Sequence, residues 1–491
     1  MKGGTRVNKS FSILTRRQFA WSVAAAFGGL VLPADAFGAG GKPLLKMGVL
    51  SDVHIGPDGS DDLLLKELRY LDSQKVEVVL FPGDIANHGL ISYHERFAAC
   101  WNKVFPNCVA SDGRRVEHVL VTGNHDLMNK RWEDWWAKYT EEQQAKDRLY
   151  YKDNIVKTWD RLYGEKWELV WKREVKGVTF VGAQFESWLD LPIEEFFRTH
   201  GREIDPTMPF IYVQHQHPRG TCHGQFAVDE GACDSGRVGR ELAAFPNAVA
   251  FSGHSHLPIT DERMVWQGAY TSIGCGCAGT VSTLGMGKRR ANAYWKNRSE
   301  YGRLMLPMQT KQQNCSGLVV NLFKDHLLIH RHNFFFDMPV GEDWCVPLPA
   351  AVDGPYDFAR RARTRKAPEF AANAKITLDW CAKAPEGASW NFKDKKPCWR
   401  LGFPCAKAVC GGGRVFDYEI RMSVDGKEVL SRELLAAAFH FPDAKSDEPE
   451  MLLLLPGDLP AGKVATCSVT PRNCYGVAGK PLVATLAVKS A

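Results

Sequence analysis

One pattern recurs five times along this 491-residue chain, and it restricts the fold more than anything else: a short apolar run that breaks into a cluster of polar, metal-competent residues. Leu44 to Leu50 leads into Ser51-Asp52-Val53-His54, Val76 to Phe81 into Gly83-Asp84-Ile85-Ala86-Asn87, and Val119 to Val121 into Gly123-Asn124-His125-Asp126. Phe210 to Val213 leads into Gln214-His215-Gln216-His217-Pro218, and Ala248 to Phe251 into Ser252-Gly253-His254-Ser255-His256. Continuous apolar runs of this length read as strands buried on both faces. Amphipathic patterns at Leu63 to Leu71 and Ser92 to Val104 read as helices between them, so the expected class is α/β. In such sheets the loops at the carboxyl ends of the strands gather at one edge, where ligands bind. The five clusters are therefore expected to meet in space.

Brought together, the clusters offer Asp52, His54, Asp84, Asn124, His215, His254 and His256 as candidate metal ligands. Mixed oxygen and imidazole donors suit Mn, Fe or Zn better than Ca or Mg. Seven donors exceed the needs of one open catalytic ion, and two divalent or trivalent transition-metal ions sharing a bridging carboxylate would use them all. Such a pair acidifies a water held between the ions and clamps the attacking and departing oxygens of a displacement at phosphorus. The departing oxygen also needs a proton. His125 is the candidate for that role, with Asp126 expected to fix its tautomer from behind.

In this order, Asp52-Val-His54, Gly83-Asp84, Gly123-Asn124-His125-Asp126, His215 and Gly253-His254-Ser-His256 resemble the motif set of the calcineurin-like metallophosphoesterases, over roughly residues 45 to 335. The resemblance implies a four-layer α/β/β/α sandwich with a dinuclear site between its sheets. It implies one metal held by Asp52, His54, Asp84 and His256, and the other by Asp84, Asn124, His215 and His254, with His125 serving the leaving group. The family has a His shortly before a Pro after the fourth of these strands, and both His215 and His217 qualify. Register from the strand favours His215. Asn87 is expected to line the site without binding metal. The substrate implied is a phosphate ester, with a phosphodiester or nucleotide preferred to a phosphomonoester. The competing reading is a non-catalytic surface-binding protein with a relic metal site, which a complete ligand set opposes.

The rest of the chain is read more coarsely. Of the formal charge of +6, a net +4 lies in residues 1–36, where Lys2, Arg6, Lys9, Arg16 and Arg17 stand against Asp35. The remainder is nearly neutral, which gives no case for a nucleic-acid partner. Thr15-Arg16-Arg17-Gln18-Phe19, the Ala/Gly-rich run Ala20 to Leu32 and the small-x-small Ala34-Asp35-Ala36 resemble a bacterial twin-arginine (Tat) signal peptide, and imply the Tat machinery as a partner and a periplasmic or secreted destination. The apolar run is too short for a stable membrane span.

The expected domains are a signal at 1–36, the metallophosphoesterase domain at 37–349, a solvated basic linker at 350–370 and a small all-β sandwich at 371–491. In the last of these, Phe416 to Val424 alternates, and Asp425-Gly426 signals a hairpin. Pro471-Arg472-Asn473-Cys474-Tyr475-Gly476 resembles the F–G region of a fibronectin type III domain, and contact with a surface or partner is its expected use. Two insertions flank the site: a Trp-rich one at 130–171, whose Trp132, Trp135 and Trp136 fall at helical packing spacing, and a basic one at 285–315. Near pairs among the 14 cysteines, Cys100 and Cys108, Cys222 and Cys233, Cys467 and Cys474, are candidate disulfides. Cys275-Gly-Cys277 and the Cys398, Cys405, Cys410 group are weaker candidates for zinc.

Overall fold

The computed structural model describes residues 41–56, 60–127, 140–142, 155–185, 191–222, 233–279, 315–351, 356–384, 397–436 and 449–489. The signal segment, Trp132, Trp135 and Trp136, and nearly all of the basic insertion at 285–315 lie outside the described residues.

The first three strands, β1 (Leu45–Val49), β2 (Val78–Pro82) and β3 (Glu117–Val121), pair in parallel, with helices α1 (Ser60–Ser73) and α2 (Ile91–Val104) as crossovers. A third helix, α3 (Val156–Tyr163), packs on α2 and precedes a hairpin of β4 (Val170–Val175) and β5 (Val178–Ala183). The hairpin opens a second sheet. Helix α4 (Ile193–His200), β6 (Phe210–Val213), α5 (Arg237–Leu242) and β7 (Ala248–Ser252) follow, then β8 (Val265–Gln267) and β9 (Thr271–Gly274). In this six-stranded sheet β5, β6, β7 and β9 run parallel. The chain then returns to the first sheet through β10 (Ser316–Leu322), β11 (His326–Asn333), β12 (Met338–Pro339) and β13 (Trp344–Pro347), with β10 antiparallel to β1.

Alternation along the strands explains the layering. Val78, Leu80, Val119 and Val121 share one buried cluster with Phe180, Ile211, Val213, Val249 and Phe251, which fills the space between the sheets. Their neighbours Val79, Phe81, Leu120, Phe210, Tyr212, Ala248 and Ala250 point the other way and pack with Leu64, Leu68, Phe97 and Trp101 or with Phe197, Val238 and Leu242 of the helices. Because both faces are covered, the strands carry no polar face, and they read as continuous apolar runs. The result is the expected α/β/β/α sandwich, followed by further all-β sheets.

Those sheets are β14 (Thr377–Cys381), β15 (Cys398–Pro404), β16 (Val415–Val424), β17 (Lys427–Leu435), β18 (Pro449–Leu454), β19 (Val464–Asn473) and β20 (Leu482–Ala487). They form a three-stranded sheet in the order β14-β15-β18 and a four-stranded sheet in the order β17-β16-β19-β20, both antiparallel. Two of these strands, β15 and β18, have no counterpart in the sequence reading.

The stretch expected to be a solvated basic linker is partly built into the fold. Helix α6 (Phe358–Ala362) presents Arg361, whose side chain is 8% exposed, to Glu262, with Nη1 at 3.0 Å from Oε2. The same carboxylate takes Arg331 at 3.1 Å and the indole N–H of Trp344 at 2.8 Å. Arg361 also lies over the ring of Tyr356, and Arg365 lies 4.5 Å from the ring centre of Tyr475. A guanidinium with a buried carboxylate and an aromatic face to bind loses little by leaving water, which is why this part of the run is not solvated. Arg360, Arg363 and Lys366 stay exposed.

All 14 cysteines are thiols. Cys467 lies within β19 and Cys474 just past its last residue, so the extended stretch between them, at about 3.3 Å per residue, keeps them apart. Among the described residues, the groups that could hold an ion contain no cysteine. Among the described residues, no helix is long and apolar enough to cross a membrane.

Candidate metal centre

All five clusters sit at the carboxyl ends of parallel strands, and the two sheets bring those ends together. Backbone bonds lock the loops to one another: Asp52 N donates to Gly83 O at 3.1 Å, His54 N to Asp84 O at 2.9 Å and Gly253 N to His215 O at 2.9 Å. Each loop must turn its side chain back over the sheet edge, and this imposes left-handed backbone on Asp52, His54, Asp84, His254 and His256, with φ between 50° and 64°. Non-glycine residues rarely adopt that region, and strain of this kind concentrates at functional sites. Two glycines are fixed by crowding. A Cβ on Gly123 would lie 2.2 Å from Asp84 Oδ1, and one on Gly253 would lie 1.9 Å from Ser51 Oγ.

The side chains converge as ligands do. His256 Nε2 lies 2.9 Å from Asp52 Oδ1 and 3.2 Å from His54 Nε2, and His54 Nε2 lies 3.5 Å from Asp84 Oδ2. On the other side of Asp84, His215 Nε2 lies 3.2 Å from Oδ2, 3.1 Å from His254 Nδ1 and 3.1 Å from Asn124 Oδ1. Two sets therefore form, Asp52, His54, Asp84 and His256, and Asp84, His215 and His254, with donor atoms in each within 4.8 Å of one another. Donors about 2.0–2.1 Å from a shared ion stand about 3 Å from each other, so the spacings and the donor types both fit a pair of transition-metal ions.

Burial acts to raise Asp52, but His256 and His215 hold it down at about 2. Burial likewise opposes ionisation of Asp84, and His215 and His125 carry it well below the usual carboxylate range. Against its own burial, His215 is lifted to about 9 by Asp84 and Asp52. Burial dominates at His54 and lowers it to about 3. Two ionised carboxylates buried among imidazoles are a cavity that favours positive charge.

Groups around the donors fix their orientation. His215 Nδ1 donates to Pro82 O at 2.7 Å, which turns Nε2 toward the cluster. Ser51 Oγ donates to Asp52 Oδ2 at 2.7 Å, and the backbone N–H of His125 donates to Asp84 Oδ1 at 2.8 Å. His217, the alternative to His215, is buried between two hydroxyls, with Nδ1 at 2.7 Å from Ser252 Oγ and Nε2 at 2.9 Å from Ser255 Oγ. Both of its ring nitrogens are thereby engaged away from the cluster.

His125 stands at the rim, its ring edge-on to His54 at 4.7 Å between centres. The expected Asp126 to His125 contact is absent, and this is a correction. Asp126 is fully buried and its oxygens accept the backbone N–H groups of Ala86 and Gly123, each at 2.7 Å. The partner of His125 Nδ1 is instead the backbone carbonyl of Asn87, at 2.6 Å. A carbonyl can only accept, so Nδ1 carries the proton. Asn87 thus lines the site through its backbone. The sequence carried no sign of the Asn87 and Pro82 carbonyls, whereas Ser51, directly before Asp52, was legible.

Fold and cluster together present a buried site suited to two metal ions. Residues 45–258 match the family model described as calcineurin-like phosphoesterase. Among solved structures, a dimetal phosphatase from Danio rerio is 12% identical, at a TM-score of 0.33, over 61% of this chain and 99% of its own. The purple acid phosphatase PPD1 from yellow lupin is 13% identical, at a TM-score of 0.39, over 62% and 54%. GAP50, the anchor in the inner membrane complex of Plasmodium, is 12% identical, at a TM-score of 0.35, over 62% and 89%. No curated protein matches the chain.

Proposed function

We propose that this protein is an exported phosphoesterase that uses two transition-metal ions, Mn, Fe or Zn, to hydrolyse a phosphodiester or nucleotide. The observation that carries the reading is the position of Asp84, whose carboxylate belongs to both donor sets. Asp52, His54 and His256 would complete one metal's shell, and Asn124, His215 and His254 the other's. When bound, such ions acidify a water and neutralise charge on the phosphoryl oxygens. The chain's own groups do the rest. The Pro82 carbonyl and Ser51 hold His215 and Asp52 in position before substrate arrives. His125, with Nδ1–H tied to Asn87, would as an imidazolium give its Nε2 proton to the departing oxygen and return to the neutral ring.

The test is the mature protein reconstituted with each metal, assayed for bound ions and for hydrolysis of a bis-aryl phosphate, an aryl phosphate, nucleotides and phospholipid head groups. Two ions per chain with turnover of the diester or a nucleotide supports the proposal, and turnover of the aryl monoester alone would replace it with a phosphomonoesterase. Export rests on the twin arginine. Replacing Arg16 and Arg17 by Lys should retain the precursor in the cytoplasm, and unchanged export would remove the Tat route.

The all-β region we read as fibronectin type III-like. Its support is the strand pairing, with the first, second and fifth strands in one sheet and the fourth, third, sixth and seventh in the other. Part of its surface is already committed, since Tyr475 stacks on Phe358 and lies beside Arg365. Any surface or partner contact would use the remaining faces.

A further inference from the structure

Cys381 ends β14 and Cys398 begins β15, and the antiparallel register places them directly opposite one another. Directly opposed residues point to the same face, with Cα atoms about 4.5–5.5 Å apart, inside the range a disulfide spans. The two share a small apolar cluster with Ala384, Leu453 and Met451. No other two cysteines are paired across strands in the registers of the described residues. Several of the others face oxygen acceptors: Cys315 donates to Gly279 O at 3.1 Å, Cys222 to Ser272 O at 3.3 Å and Cys405 to Glu450 at 3.3 Å.

We propose that Cys381 and Cys398 form a disulfide by exchange with an external low-molecular-weight disulfide, closing the connection 382–397 and pinning β14 to its sheet. Their exposures assign the order of events. Cys381 is half-buried and reachable, whereas Cys398 is fully buried, and burial pushes its thiol up to about 11. The Cys381 thiolate attacks one sulfur of the external disulfide, forming a mixed disulfide and expelling one thiolate. Cys398 then loses its proton and attacks Cys381 Sγ, forming the internal bond and expelling the second thiolate. The two protein thiols lose two electrons and two protons, and the external disulfide becomes two thiols. The consequence is mechanical: among the described residues β14 is the edge strand of a three-stranded sheet, paired with β15 on one side. A cross-link at its end fixes both its register and its attachment.

The inference uses nothing of the metal centre, so it stands or falls apart from the proposed activity. The test takes the full chain through buffers of oxidised or reduced glutathione, blocks free thiols with an alkylating agent and maps peptides without reduction. Expected is one linked peptide containing Cys381 and Cys398, about 2 Da lighter than its two thiol peptides together, with a melting temperature about 5 °C or more above the reduced protein. Cys381→Ser and Cys398→Ser should each abolish the linked peptide and the oxidant-dependent shift, while the remaining cysteine is recovered alkylated. Both cysteines alkylated after oxidation, or either linked to a third cysteine, would overturn it.

Discussion

Asp84 Oδ2 and His215 Nε2 stand 3.2 Å apart across the gap between the two sheets, joining loops from β2 and β6. The same oxygen lies 3.5 Å from His54 Nε2, so one carboxylate serves imidazoles on both of its sides. Asp84→Asn keeps the shape and removes the charge that both ions would share. The expected outcome is fewer than two ions per chain by elemental analysis and a fall in hydrolysis of more than about 10³-fold, beyond the 10–100-fold typical of losing an orienting partner. Full activity with one ion would sink the dinuclear reading.

His125 and Asp126 are adjacent in sequence and separate in function. His125→Ala should slow a substrate with a poor leaving group by about 10²–10⁴-fold while sparing an activated aryl ester, whose leaving oxygen needs no proton. Asp126→Ala should behave differently. It strips the acceptors from two buried backbone N–H groups, at about 1–3 kcal/mol each, so the melting temperature should drop and both substrates should lose activity alike. A leaving-group dependence in Asp126→Ala matching that of His125→Ala would restore the orienting role that the geometry denies.

His215 and His217 are told apart by what their nitrogens face. His215→Ala should lose metal. His217→Ala should keep two ions per chain and lose stability instead, by about 1–3 kcal/mol, because Ser252 and Ser255 are left buried without their partner. Loss of an ion in His217→Ala, measured on folded protein, would contradict the assignment.

The legible parts of this protein are those in which a side chain supplies both the position and the chemistry. Asp52, Asp84, His254 and their companions follow apolar runs, and the same rule that buries those runs delivers the clusters to one edge. The partner of His125 was not legible, because any residue at position 87 brings a carbonyl. The binding of Arg361 was hidden for a different reason: Glu262 lies far back in the chain, and a run of arginines looks the same whether water or a carboxylate receives it. Strand β18 was missed because Met451 to Leu455 is apolar without alternation, a pattern that does not separate a buried strand from a helix.

That hidden carboxylate yields the last prediction. Burial works to raise Glu262, but Arg331 and Arg361 outweigh it, so its folded pKa lies below the ordinary value. A depressed carboxylate stabilises the fold in full above its unfolded pKa, about 4.3, and loses that contribution as pH falls through the folded value. Glu262→Gln removes the charge at every pH and leaves Arg331 and Arg361 facing each other without a counter-charge, which costs about 3–5 kcal/mol at neutral pH. The melting temperatures of wild type and variant should therefore be far apart at pH 7, and should converge as pH drops below about 4, where protonation does to the wild type what the substitution did to the variant. A gap that stays constant from pH 7 to pH 3 would show that the amide and carboxylate differ in packing rather than in charge. The arginines around residue 262 would then owe their burial to Tyr356, Tyr475 and Trp344.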